Sequence, residues 1–460
     1  MASAAEQLAA NMNFGAFSKA TDLHKRLLFT LGALIIYRLG TYIPVPGINM
    51  DAYAHAFSGQ ANGILGMMNM FSGGAVGRMA IFALNLMPYI SASIIIQLMG
   101  SVYQPWEKLR KEGGEAGRKQ LNQYTRYLTV VLGLVQSYAI ASNMQASIAL
   151  HPGPFFVIST CFTLTSGTLF LMWLGEQITS RGIGNGSSMI IFAGIVAVLP
   201  KTLGSLLALS SNGQMNSVEL VLILVLLIGA IVFIVFMERA QRRLLVQYPK
   251  RQVGNRVMGG ESSFMPLKVN TSGVIPPIFA SSLLLMPASM TAFFAGKDPS
   301  KLPVFLRWVQ QMTTYLQHGQ PVFMVLYATL IIAFTFLYTS LVFNPEETAE
   351  NLRKYGGFLP GIRPGKRTAD YLDYVLTRIT VIGAAYMTIV CLLPEFVIAQ
   401  MGQGFYFGGT SILIVVTVTM DTVAQIQSHL LAHQYEGLIK KSRLKTGGKT
   451  SVVKTRGGAR

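Results

Sequence analysis

The sequence has few charged residues and almost no cysteine. Only 12% of its 460 residues are Asp, Glu, Lys or Arg, about half the share of an average soluble protein, whereas 51% are hydrophobic. This composition argues against a water-soluble globule. The two cysteines, Cys161 and Cys391, both lie in apolar runs. They exclude a disulfide framework and are typical of packing residues.

Acidic residues are scarcer than basic ones, and no catalytic or metal-binding pattern is present. The chain has 19 Asp and Glu against 37 Lys and Arg, a formal net charge of +18. Nearly all acidic residues and the 6 histidines lie outside the apolar runs or at their ends, and Asp421 alone is expected inside one. We therefore predict no enzymatic activity, no cofactor and no metal. Energy for any transport would come from a partner.

Long apolar runs are what the sequence has in abundance. A helix needs about 20 mainly apolar residues to cross the hydrocarbon core of a bilayer. The ten predicted spans are 27–44, 79–99, 127–146, 155–175, 187–209, 217–237, 273–295, 321–343, 374–394 and 406–427. The fold class predicted from them is an all-α polytopic membrane protein.

The basic residues indicate the orientation. If the N-terminus is inside, most Lys and Arg fall in segments on that same side, including 239–270, 344–373 and the C-terminal tail. Lys and Arg are biased to the cytoplasmic side, so both termini are expected there. Residues 1–24 lack the short apolar core and cleavage site of a signal peptide, so the first span is expected to act as the targeting signal.

Ten spans with both ends inside divide into two sets of five with opposite orientation, the arrangement of an inverted repeat. We therefore divide the chain into four parts. They are a cytoplasmic N-terminal segment 1–26, a first half 27–209, a second half 210–427 with the cytoplasmic loops 239–270 and 344–373, and a basic cytoplasmic tail 428–460.

Between the first two spans, residues 58–74 are apolar but too short and too rich in glycine to cross a bilayer. They are predicted to form a short helix bounded by glycine hinges. One interpretation is a re-entrant loop at the membrane interface. The other is a movable element inside a cavity, where protein or water surrounds non-helical backbone.

The two long basic loops allow several interpretations. They could enforce topology, contact anionic lipids, or bind an acidic partner or ribosomal RNA. Arg363 lies between Gly361-Ile362 and Pro364-Gly365, which favours a stiff loop tip that presents one guanidinium. The docking residues we predict are Arg242, Arg243, Lys250, Arg251, Arg256 and Arg363.

A set of motifs, in order along the chain, resembles one known family. The motifs occupy residues 71–75, 87–98, 123–127, 173–179, 181–186, 266–270, 343–345 with 347–349, 360–365 and 405–411. They resemble the SecY/Sec61-alpha family, the channel subunits of the Sec protein translocase, in its bacterial form. The resemblance extends from about residue 15 to about residue 440.

That resemblance implies a fold and a set of site residues. The fold would be two five-helix halves around an hourglass pore, with residues 62–74 as a plug. The implied plug residues are Asn62, Gly63, Ile64, Leu65, Gly66, Met67, Met68, Asn69, Met70 and Phe71. The implied pore ring is Leu86, Ile90, Ser187, Ile191, Ile278 and Ile414. Ser187 departs from the aliphatic residue usual in the family, and the neighbouring Met189 is expected to compensate.

The second and seventh spans would form a lateral gate toward lipid. The implied gate residues are Ser91, Ala92, Ser93, Ala280, Ser281 and Ser282. Small residues suit a seam between helices that closes tightly and parts again, although ordinary small-residue packing explains them equally well.

The resemblance also implies partners and a location. The expected partners are small SecE-like and SecG-like membrane subunits, a SecA-like motor ATPase, the ribosome, signal sequences, unfolded precursor polypeptides and anionic lipids. The expected location is the bacterial inner membrane. The alternative class is a secondary transporter of small solutes, which would share the inverted repeat but needs ligands for a coupling ion at the midplane.

Overall fold

The computed structural model is mostly helical and describes residues 21–58, 64–111, 113–145, 148–211, 217–249, 251–253, 256–258, 262–292, 320–401 and 408–447. The helices before the strands are α1 (Thr21–Gly40), α2 (Met50–Ser58), α3 (Ile64–Phe71), α4 (Met87–Val102), α5 (Gln104–Lys111), α6 (Gly114–Met144), α7 (Pro154–Arg181), α8 (Gly186–Ser211) and α9 (Ser217–Arg239). The strands are β1 (Gln241–Gln247), β2 (Arg251–Val253), β3 (Arg256–Met258) and β4 (Ser262–Lys268). The remaining helices are α10 (Ile275–Ala292), α11 (Pro321–Val342), α12 (Pro345–Lys354), α13 (Lys366–Met401) and α14 (Gly409–Gly447).

Each of the ten predicted spans overlaps one of these helices. In the described residues, six segments are long and apolar enough to cross a membrane: Pro154–Arg181, Gly186–Ala208, Val218–Arg239, Pro321–Lys354, Lys366–Phe396 and Gly409–Ala432. α4 and α10 contain shorter apolar stretches. The prediction of a polytopic helical membrane protein is therefore confirmed, and these helices are consistent with a count of ten.

The second predicted span, 79–99, is wrong in its first third. α4 begins only at Met87, and residues 72–86 form consecutive turns. Met79 and Asn85 have positive φ angles of 42° and 49°, which a right-handed helix does not contain. Pro88 then lies in the first turn of α4, where a missing N–H costs nothing. Hydrophobicity alone does not register these backbone conformations.

Other boundaries shift where polar helical turns continue beyond an apolar run. α6 begins at Gly114, before the predicted span at 127. α14 continues to Gly447, past the predicted end at 427 and into the segment predicted as a tail. Conversely, α1 ends at Gly40, before the predicted end at 44.

Helices pack closely where glycine removes the side chain. A Cβ on Gly186 would overlap the carbonyl oxygen of Gly175, which brings α8 against α7. A Cβ on Gly409 would likewise overlap the carbonyl oxygen of Val390 between α14 and α13. Such small-residue contacts replace the hydrophobic driving force that is missing between helices in lipid. By contrast, α9 exposes Val218, Val221 and other apolar side chains, as a lipid-facing helix does.

The helices form two groups that meet around α3. In the first, α1, α4 and α6 contact α7, which also contacts α8; in the second, α13 contacts α9, α11 and α14, and α11 contacts α10. Contacts between the groups include α4 with α10 and α8 with α14. α3 contacts both α8 and α10, so it lies where the two groups meet.

The predicted loops 239–270 and 344–373 fold together rather than forming separate loops. β1 pairs with β4 and β2 with β3, both antiparallel. Gln247 of β1 exchanges two backbone hydrogen bonds of 2.9 Å with Phe358. We call β1–β4, α12 and the start of α13 the hairpin unit. Its buried core is Leu244, Val246, Leu267, Ala349, Leu359, Ala369, Leu372, Val375 and Ile379.

The close contact of α7 with α8 yields a stability prediction. We expect Gly186→Ala to lower the thermal unfolding midpoint in detergent, because the added methyl group forces the two helices apart. Gly204→Ala in the same helix is the matched control, since nothing lies within 4 Å of its Cβ position. That substitution should leave the midpoint unchanged or raise it, because Ala favours helix over Gly by about 1 kcal/mol. Equal midpoints for both variants would contradict the packing.

Candidate pore and its surroundings

Five of the six residues of the predicted ring converge on one apolar cluster. Leu86 precedes α4, Ile191 is in α8, Ile278 in α10 and Ile414 in α14; all four side chains are buried in the same cluster. Ile90 packs against this cluster and is partly buried. The structure thus brings together side chains from four helical regions that are distant in sequence.

Ser187 is the polar residue of the predicted ring. It occupies the first turn of α8, where its backbone N–H donates to Asn185 Oδ1 at 3.2 Å, and its side chain lies close to the Tyr89 hydroxyl. Met189, expected to compensate, is buried in the cluster, and its sulfur accepts a hydrogen bond from Thr422 Oγ1 at 3.5 Å. Ser187 therefore contributes a polar contact beside the cluster.

A small cavity lies at the point where the predicted ring, plug and gate meet. Its lining residues are Phe71, Asn85, Leu86, Met87, Ile90, Ile191, Ile278, Ser281 and Ser282. Its volume is about 20 Å³, room for about one water molecule. The lining contains no ionisable side chain. The cavity is therefore a narrow, partly enclosed space with mostly apolar walls.

The predicted plug is a short helix that ends against this cavity. Asn62 and Gly63 lie outside the described residues, and Ile64 to Phe71 form α3. Met70 and Phe71 are buried, while Gly66, Met68 and Asn69 are half-buried. Gly73 and Gly74 follow with φ angles of 67° and 87°, a conformation that favours glycine. These two residues end the helix and turn the chain.

Residues of the predicted gate lie on two helices in contact, α4 and α10. Ser91 and Ala92 of α4 are buried, as are Ala280, Ser281 and Ser282 of α10. Ser93 is half-buried and accepts a hydrogen bond of 3.1 Å from Gln97 Nε2. Ser281 and Ser282 line the cavity beside Met87 and Ile90 of α4, so small side chains meet this seam from α10.

The predicted docking residues lie on the hairpin unit or close to it. Arg242 and Arg243 are exposed on β1, and Arg251 and Arg256 are in β2 and β3. Lys250 lies outside the described residues. Arg363 is exposed, and the neighbouring Ile362 packs against the apolar core of the hairpin unit.

The loop around Arg363 is held by backbone geometry and one side chain. Gly361 and Gly365 have φ angles of 81° and 108°, which other residues rarely adopt. Thr368 Oγ1 donates to the carbonyl oxygen of Arg363 at 2.9 Å. The arrangement agrees with a stiff tip that presents one guanidinium.

Sequence reasoning missed several polar residues near the centre. Arg38 and Arg78 both donate to the carbonyl oxygen of Gly73, at 2.6 and 3.2 Å. At the end of α9, Glu238 accepts hydrogen bonds from Asn270 and Tyr386. Only the placement of Arg38 and Glu238 near the ends of apolar runs could have drawn attention to them.

The expectation that Asp421 alone is an internal acid is wrong. Glu395 in α13 is 2% exposed, whereas Asp421 in α14 is exposed. Glu395 directly follows the predicted span 374–394, which placed it at a membrane surface. The helix continues past Pro394 to Met401 and keeps Glu395 inside the bundle. Among the described residues, no three His, Cys, Asp or Glu side chains are grouped as metal ligands.

Comparison with known proteins identifies the family. The SecY family model matches residues 80–423. Protein translocase subunit SecY of Rickettsia conorii is 51% identical over 438 residues, which are 93% of this chain and 99% of that protein. The SecY subunit of Escherichia coli K12 is 50% identical over 433 residues, 93% of this chain and 96% of that protein.

Solved structures show the same fold. A structure of a protein-conducting channel has a TM-score of 0.67 at 17% identity, covering 89% of this chain and 93% of that one. Sec61 in a canine ribosome–channel complex from the endoplasmic reticulum has a TM-score of 0.63 at 17% identity, with the same coverage. The chain belongs to the SecY family, whose members are the channel subunits of the protein translocase.

Proposed function

We propose that this chain is the pore-forming central subunit of a bacterial inner-membrane channel, with both termini in the cytoplasm. It passes unfolded secretory polypeptides across the membrane and releases membrane segments sideways into lipid. The observation that carries this proposal is the central cavity, because residues expected to seal, plug and open the pore share its wall. Membership of the SecY family supports the same function.

The predicted ring suits a seal that does not select among polypeptides. Branched apolar side chains around a narrow opening let it lose its water, which excludes ions. They also offer no fixed hydrogen-bond partners to a passing chain. A secondary transporter would need ion ligands at this depth, and the cavity lining contains no ionisable side chain.

The seam between α4 and α10 is proposed as the lateral gate. Ser281 and Ser282 of α10 are small and lie beside α4, so the helices can approach closely without a large apolar contact that would resist separation. Opening this seam would connect the pore to lipid. A signal sequence or membrane segment would leave through it.

The hairpin unit is proposed as the docking surface for the energy source. It presents Arg242, Arg243 and Arg363 on one folded body. Guanidinium groups recognise carboxylates and phosphates in planar, paired geometry. The partners would be a SecA-like motor ATPase and the ribosome, with SecE-like and SecG-like subunits bracing the helices and anionic lipids beside the basic segments.

The pore function is tested by the path of a stalled precursor. A photoreactive amino acid at Ile90 or Ile278 should cross-link to an unfolded precursor arrested during export, because both residues line the cavity. The same probe at Val225, an exposed apolar residue of α9, is the matched control and should not react with it. Cross-links at Val225 alone would place the polypeptide outside the predicted pore and contradict the proposal.

The seal is tested by enlarging the ring. We expect replacement of Ile90, Ile191 and Ile278 together by Gly to raise the ion conductance of resting channels in planar bilayers severalfold, because a wider opening stays wet. Replacement of the same three residues by Val is the control. Val keeps a branched apolar side chain at each position, so the resting channel of this variant should still exclude ions. Equal resting conductance of the Gly variant and the wild type would exclude these residues from the seal.

The docking surface is tested by reversing one charge. We expect Arg363→Glu to reduce ATP-driven import of a precursor into inverted vesicles about tenfold, which corresponds to about 1.4 kcal/mol of lost coupling. Arg118→Glu, an equal reversal at an exposed residue of α6 outside the hairpin unit, should leave import near the wild-type level. Import that is normal in both variants, or reduced equally in both, would argue against a specific role for Arg363.

A further inference from the structure

The end of α3 leaves backbone carbonyl groups that helical bonding does not use. The last carbonyls of any helix lack partners within the helix. Here the turn at Gly73-Gly74 satisfies Met70 and Asn69, whose carbonyl oxygens accept from the N–H groups of Gly73 and Gly74. The carbonyls of Phe71 and Gly73 remain, whereas that of Ser72 also accepts from the Ala75 N–H at 3.3 Å. All three point toward side chains outside α3.

Four side chains donate to these three carbonyl groups. Asn85 Nδ2 donates to Phe71 at 2.7 Å, and the Tyr37 hydroxyl donates to Ser72 at 3.2 Å. Gly73 accepts from Arg38 at 2.6 Å and from Arg78 at 3.2 Å. The residues of this set, Tyr37, Arg38, Arg78 and Asn85, we call the latch.

The surroundings of the latch are built for this contact. Tyr37 is completely buried, so its hydroxyl needs an internal acceptor. Gly194 of α8 leaves the necessary room, because a Cβ there would lie 2.7 Å from the Phe71 oxygen and 2.9 Å from the Tyr37 hydroxyl. Asn85 has a positive φ, which Asn tolerates better than most residues.

The charges of the latch suit the end of a helix. The guanidinium groups of Arg38 and Arg78 lie 4.8 and 4.0 Å from the ring centre of Tyr42, where the aromatic face attracts a cation. Neither forms a salt bridge with a carboxylate in the described part of the chain. Both therefore act on the carbonyl end of α3, where helix geometry favours positive charge.

The latch connects α3 to one half of the protein only. All four latch residues precede α5, and within the described residues no hydrogen bond joins residues 64–74 to the second half. Toward the second half, Phe71 shares the cavity wall with Ile278, Ser281 and Ser282. Hydrogen bonds thus hold the end of the plug on the side of the first half, whereas on the other side Phe71 meets the second half without one.

We propose that Tyr37, Arg38, Arg78 and Asn85 are positioning residues that fasten the C-terminal end of the plug to the first half and thereby set how much of the time the resting channel is closed. This rests on the proposed function of residues 64–71 as a plug. When α10 separates from α4, the end of the plug stays with the first half. Tyr37, Arg38 and Arg78 do not line the cavity, whereas Asn85 is part of its wall.

The test measures the fraction of time that single resting channels conduct in planar bilayers. Tyr37→Phe removes one hydroxyl and should raise that fraction roughly 2- to 12-fold, the range expected for one net hydrogen bond. Arg38→Gln should raise it at least as much, because it removes a charge-assisted bond. Thermal unfolding midpoints, measured in parallel, should stay near the wild-type value.

Two matched controls separate the latch from general loosening. Tyr53→Phe also removes a buried hydroxyl that donates to a backbone carbonyl, but that carbonyl belongs to Val76, beyond the glycine turn. Burial raises the pKa of Tyr53, so its hydroxyl is a proton donor at neutral pH. Arg26→Gln removes an arginine of the same helix, α1, that pairs with Asp22 at the surface. Both controls should stay closed like the wild type.

Deletion of residues 64–71 distinguishes failure of the latch from failure of the plug. A channel that conducts after the deletion but stays tight in Tyr37→Phe and Arg38→Gln would overturn the latch and keep the plug. A deletion that leaves the channel tight would overturn the plug as well. Equal leakage in the controls and the latch variants would also overturn the proposal, because the effect would then not depend on the end of α3.

Discussion

The centre of the protein depends on how the buried, non-helical backbone of residues 72–86 satisfies its polar groups. In a membrane protein each unpaired carbonyl or N–H away from water costs several kcal/mol, so irregular backbone is tolerated only where protein or water provides partners. Here consecutive turns pair part of the segment, and the side chains of Tyr37, Arg38 and Asn85 pair with carbonyls at its start. Phe71 and Leu86 flank this segment, so the same bonds position the cavity walls on both sides.

The sequence predicts the membrane helices well because hydrophobicity is a local property. Each apolar run overlaps a helix, and the motif at 360–365 correctly predicts the exposed Arg363 between two glycines with positive φ. The sequence does not predict where α4 begins, because the turn at Asn85 does not interrupt the apolar run from which the span was predicted. The latch is missed for another reason: Arg38 and Gly73 are 35 residues apart, and no periodicity links them.

The hairpin unit shows the same limit outside the bundle. β1 is seven residues long and carries only two buried side chains, Leu244 and Val246, so its alternation is too short to recognise. Its core is completed by residues such as Leu359 and Leu372, more than 100 positions later in the chain. The basic composition predicted docking residues in both segments, but only the folded chain reveals that the two segments share a core.

The hairpin unit is also joined to the gate helix by polar contacts. The side chain of Asn270, just before α10, donates to Glu238 at the end of α9 and to the carbonyl oxygen of Gly273 at 3.2 Å. The hydroxyl of Tyr386 in α13 reaches Glu238 at 3.4 Å. Because β4 leads directly into this cluster, a displacement of the hairpin unit would be expected to reach the first turn of α10. An apolar seal has no directional bonds with which to resist such a displacement, since dispersion contacts are individually weak and unspecific. Resistance would therefore come from polar groups around the proposed ring, and this division would leave the ring itself indifferent to the polypeptide that passes.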